Sequence, residues 1–125
     1  MKQDIQSLED IELMVNTFYG RVQEDDFIGP IFNDIIQDRW PQHLAIMYRF
    51  WQSILLDENT YTGQPFLKHI NLGIEEVHFA RWLYLFHSTV EELFQGPIAD
   101  EAKKRSAQIA GTFNSKLNYI RSNKE

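Results

Sequence analysis

The sequence predicts an all-α domain, and three observations carry that expectation. Apolar residues recur at spacings of three and four in every long segment. No segment alternates apolar and polar residues with a period of two. Gly, Pro and Asp stand between the periodic stretches, where helices stop and start. One domain spanning 1–125 is expected, since a chain of 14.8 kDa buries a core without disulfide or metal staples.

The first helix is marked by Ile11, Met14, Val15, Phe18, Tyr19 and Val22. Ser7 is its expected cap, with Glu9 and Asp10 in the first turn. Gly20 within that pattern costs up to about 1 kcal/mol relative to Ala, so close packing is expected there. Asp25-Asp26 leads into a turn and a short apolar piece, Phe27-Ile28-Gly29-Pro30-Ile31-Phe32.

Trp40-Pro41 opens the next helix, with Pro in the first turn. Leu44, Met47, Tyr48, Phe50, Trp51, Ile54 and Leu55 give it a wide apolar face, and His43 shares a stripe with Met47 and Trp51. Asp57-Glu58-Asn59 ends it. The stretch Tyr61-Thr62-Gly63-Gln64-Pro65-Phe66-Leu67-Lys68-His69-Ile70 then starts as a turn and presents His69 among Leu67, Ile70 and Leu72. Phe79, Trp82, Leu83, Phe86, Val90, Leu93 and Phe94 mark a long helix that stops at Gln95-Gly96-Pro97. Asp100 and Glu101 are expected to start the last helix, whose inner face is Ala102, Ile109, Phe113, Leu117 and Ile120. Four substantial helices with short connectors result.

Composition narrows the chemistry. With no cysteine, thiolate zinc sites, iron–sulfur clusters, a thiol nucleophile and covalent haem attachment are excluded. A net charge of −6 without a basic stripe argues against nucleic acid and anionic membranes. No run approaches membrane-spanning length and the N-terminus has no apolar signal core, so a cytoplasmic protein is expected. No nucleophile elbow or phosphate-binding glycine loop is present. A di-iron bundle needs two Glu-x-x-His motifs, and only Glu75-x-x-His78 occurs.

Nine Phe, five Tyr and three Trp suit an aromatic pocket as well as a core. Tyr19, His43, His69 and Trp82 place isolated polar groups on apolar stripes of separate segments. For any one of them a satisfied core residue is the simpler reading. Together they suggest a shared pocket with one nitrogen ligand and several donors.

The ordered set Phe18-Tyr19, Gly29-Pro30-Ile31-Phe32, His43 with Phe50-Trp51, Tyr61-x-Gly63-x-Pro65 leading to His69, and Phe79-x-x-Trp82-Leu83-x-Leu85-Phe86 resembles the truncated haemoglobins. Within them it is most similar to group III, which lacks the Gly-Gly pairs of groups I and II, as does this chain. The resemblance implies a two-over-two helical sandwich holding haem b (iron protoporphyrin IX). It implies His69 as proximal iron ligand and Phe32 as the aromatic wedged against the porphyrin. Tyr19, His43 and Trp82 would line the distal side, with Phe18, Met47, Phe50 and Trp51 as walls. Lys68, His78, Arg81 and Arg49 are candidates to meet the propionates. The implied work is binding of O2, nitric oxide and related diatomics. Redox chemistry such as nitric oxide dioxygenation or peroxide turnover, with a reductase as electron source, stands against a non-catalytic binding or sensing role.

Overall fold

The computed structural model describes residues 2–56 and 76–122, with side chains described at all of these except 35, 76 and 113–122. Among the described residues there are five helices: α1 (Leu8–Glu24), α2 (Gly29–Ile36), α3 (Trp40–Leu55), α4 (Glu76–Leu93) and α5 (Pro97–Ser122). Ser7 caps α1 as expected, its hydroxyl accepting from the Asp10 amide. All six inward residues of α1 are buried, each contributing about 1.5–3 kcal/mol relative to exposure if large and apolar. Trp40-Pro41 does open α3.

Three sequence expectations change. The short apolar piece after Asp26 is a full helix, α2, of eight residues. Pro30 sits in its first turn, and the Asp25 carboxylate accepts from the Phe27 and Ile28 amides at 3.0 and 2.9 Å. The last helix begins at Pro97, three residues before Asp100, because its first donors find a distant acceptor. The amides of Ile98 and Ala99 donate to the two oxygens of Asp4, at 3.0 and 2.8 Å. Gly20 is exposed, and an added Cβ there meets nothing within 4 Å. Helix spacing reports which side a residue faces, and Gly20 lies opposite the packed stripe.

α1 packs on α2, α3 and α4, while α5 packs on α4 and touches α3. The result is a sandwich of two helical layers, α1 with α3 and α4 with α5. Residues 2–6 run along the α4–α5 corner: Ile5 is fully buried, the Gln95 amide donates to the Gln3 carbonyl, and Lys2 reaches the Glu91 carbonyl. Among the described residues, the buried polar side chains besides Tyr19 are Thr89 and Ser106, each bonded to a helix carbonyl. His87 also bonds a carbonyl, that of Lys103, at 2.9 Å. The core of the described part therefore holds no buried charge apart from Asp25, whose side chain is 4% exposed at the α1–α2 corner.

Candidate functional site

Tyr19, His43 and Trp82, the polar groups expected at the site, come from α1, α3 and α4. Phe18 and Tyr19 are neighbours on α1 and diverge. Phe18 stands edge-on to Trp82 and Phe86, with ring centroids 5.5 and 5.1 Å away. Tyr19 turns towards α3, where His43 lies edge-on at 5.1 Å and Trp40 at 5.8 Å. Trp82, Phe86 and Trp51 form a stack, with centroids 5.8 and 4.8 Å apart and planes within 10° and 18° of parallel. Such rings bury much area with little rotamer freedom to lose. They make a stiff wall.

Burial pushes the Tyr19 hydroxyl well above the ordinary tyrosine range, and a hydrogen bond from the Trp82 indole opposes part of that rise. Indole N–H can only donate, so Tyr19 oxygen is the acceptor. The hydroxyl keeps its own proton to donate while its oxygen accepts. His43 is half-buried, with its Nε2 atom enclosed.

Of the other expected site residues, Phe18, Phe32, Met47 and Trp51 are buried and Phe50 packs against the core from its edge. Phe50 lies edge-on to Trp51 at 5.3 Å. His78 stacks on Phe27 at 4.7 Å, and Arg81 is bound to Asp25. Arg49 is exposed. His69 and Lys68 lie outside the described residues.

Trp40, Phe86 and Asp25 were not picked out by the sequence as site residues. Phe86 lies one turn after Trp82 and Trp40 three residues before His43, so the helical spacing held a signal for both. Asp25 offered none, because its long-range partner is 56 residues away.

These residues fit a haem with a small ligand above it. Flat aromatic and aliphatic side chains suit a macrocycle, and neutral donors in a charge-free setting suit a ligand with partial negative charge. Among the described residues no three His, Asp or Glu side chains converge as a metal-holding group.

Comparison with known proteins agrees. A family model described as bacterial-like globin matches residues 4–114. The chain is 32% identical to the Group 3 truncated hemoglobin ctb of Campylobacter jejuni over 121 residues, 94% of this chain and 95% of that protein. The crystal structure of a group III truncated hemoglobin from Campylobacter jejuni matches with a TM-score of 0.85 at 32% identity, covering 94% of this chain and 95% of that one. The chain belongs to the bacterial-like globins, within the group III truncated haemoglobins. Its two layers are thus the two-over-two helical sandwich of a truncated globin. Membership implies haem and the binding of small diatomic ligands such as O2. Among the described residues no helix is long and apolar enough to cross a membrane.

Proposed function

We propose that the chain, acting as one cytoplasmic domain, holds haem b through His69 and uses Tyr19, Trp82 and His43 to retain a diatomic ligand for redox chemistry. When bound, the haem supplies a redox-active iron with a position for that ligand. Phe32, Phe18, Met47, Phe50 and Trp51 exclude water from the pocket, and Lys68 and His78 are the cations or donors offered to the propionates. Arg81 is the weaker propionate candidate, because its guanidinium already serves Asp25.

The observation that carries the reading is the buried Tyr19 hydroxyl, set beside His43 in an aromatic wall that also holds Trp82 and carries no charge. A Trp82 indole that donates to Tyr19 leaves the Tyr19 proton for the ligand. The two act in series. A hydrogen bond to a partly charged acceptor is worth roughly 1.5–3 kcal/mol, which slows release by about tenfold to a hundredfold. Retention of that kind hinders delivery and favours reaction with a second molecule, such as nitric oxide or peroxide, with electrons supplied by a reductase.

Stopped-flow O2 release tests this. Tyr19→Phe should release O2 about tenfold to a hundredfold faster than wild type, Trp82→Phe by less, and the double variant no faster than Tyr19→Phe. Fast wild-type release that none of the variants alters would leave a simple reversible binder.

A further inference from the structure

Two polar clamps flank the place where α1 crosses α4. At the crossing Phe18 meets Trp82 and Phe86. On one side Arg21 donates to Thr89 Oγ1 at 3.1 Å and pairs with Glu92. On the other side Asp25 Oδ1 receives Arg81 Nε at 2.8 Å, with Nη2 at 2.6 Å.

The clamps are not equivalent. The Glu92 side chain is 61% exposed, so its pair is screened and can move. The Asp25 carboxylate is buried, and its Oδ2 is already fixed by the Phe27 and Ile28 amides. An acceptor held by its own backbone cannot follow a wandering guanidinium. Arg81 is located by Asp25, and Trp82 is the next residue on α4.

That adjacency matters because side chains follow the rotation of their helix. A roll of about 10° carries a side-chain tip, about 6 Å from the axis, through about 1 Å. A shift of that size forfeits about a quarter to a half of the attraction at a packed contact and opens the ring to water. Phe27 stacked on His78 braces the same turn of α4.

We propose that Asp25 and Arg81 are a positioning pair, setting the rotation of α4 so that the Trp82 ring keeps its seat against Phe18 and Phe86, on the turn that carries it towards Tyr19. The pair would thereby set the donor geometry of the pocket. Only this functional consequence rests on the reading of Tyr19 and Trp82 as ligand-holding groups; the contact itself needs no haem.

The test uses the three tryptophans. Trp40, Trp51 and Trp82 each give one indole N–H signal in nitrogen-labelled, haem-loaded protein, and Trp82→Phe identifies the one that matters. Indole hydrogen exchange is compared in wild type, Arg81→Gln, Asp25→Asn and Glu92→Gln. Arg81→Gln decides the matter, because Arg81 plays no part in capping at Phe27 and Ile28. Exchange at Trp82 should rise by about tenfold or more in Arg81→Gln and Asp25→Asn. Trp51, which stacks on Phe86, should keep its wild-type rate, as should every signal in Glu92→Gln. If Arg81→Gln does not fold, Arg81→Lys, which keeps the charge and loses the second nitrogen, is read by the same criteria.

Unchanged Trp82 exchange overturns the proposal. So does equal acceleration at Trp51 and Trp82, or an equal response in Glu92→Gln, since either describes general loosening. The carbon monoxide stretching frequency of the same samples separates the two readings. A Trp82 exchange change without a frequency shift upholds the pair and overturns the assignment of Trp82 to the ligand.

Discussion

The α1–α2 and α4–α5 corners are spelled alike and built differently. Each contains Gly-Pro at a helix start, Gly29-Pro30 in one and Gly96-Pro97 in the other, and at each an aspartate carboxylate accepts from main-chain amides. At the first corner the aspartate is local: Asp25 lies four residues before Gly29 and caps its own turn. At the second the cap comes from Asp4, more than ninety residues earlier. The glycines differ as well. Gly29 is required for space, since a Cβ would lie 2.8 Å from the Val22 carbonyl oxygen and 2.9 Å from that of Gln23. Gly96 is required for its backbone, with φ of 145°, and a Cβ there would strike the Asp4 side chain at 2.6 Å. A shared dipeptide says that a corner exists, not what holds it.

The largest effect should come at the second corner. Gly96→Ala combines backbone strain with displacement of the Asp4 cap, and should cost about 2–4 kcal/mol in chemical denaturation. Adding Asp4→Ala should cost less than the sum of the single variants, because the new methyl then has no carboxylate to meet. Strict additivity would mean that Asp4 and Gly96 are independent.

Gly29→Ala should cost less, about 1–3 kcal/mol, through a clash with main-chain carbonyls. No side-chain deletion should relieve it. Full rescue by a second substitution at a neighbouring side chain would show that the crowding is not with the backbone.

The smallest effect is the acid behaviour of Asp25. Its carboxyl is held below the usual range first by the Arg81 hydrogen bond, against the opposing pull of burial, with the Ile28 and Phe27 amides adding to the lowering. A depressed carboxyl pKa contributes stability in full above the unfolded value, about 3.9, and loses it as pH falls through the folded value. The stability difference between wild type and Asp25→Asn, about 1–2 kcal/mol, should therefore be flat near neutrality and shrink below about pH 4. A difference that grows on acidification would contradict the pairing.

What could be read from the sequence follows from what is local. The buried stripe of α1, the Ser7 cap and the Trp40-Pro41 start are each contained within one turn or one helix, and the structure shows all three. Tyr19, His43 and Trp82 could be singled out as polar groups on apolar stripes; Tyr19 meets His43 between α1 and α3, and Trp82 meets Phe18 between α1 and α4. The sequence offers Arg81 only as a cation for the propionates, because Asp25, its partner, belongs to another corner. The start of α5 was placed three residues late for the same reason, since its cap is Asp4. Pairings across such separations leave no period for a reader to find.

The Asp4 cap also orders events in time. Satisfying Ile98 and Ala99 from a residue 94 and 95 positions away requires closing a long loop, whose entropy cost grows only slowly with length but must be met before the contact rewards it. Local helices can form first, and this contact joins them late. Interactions made after the folding barrier slow escape from the native state more than they speed arrival. Asp4→Ala should therefore speed unfolding more than it slows folding, the mark of a latch that closes last.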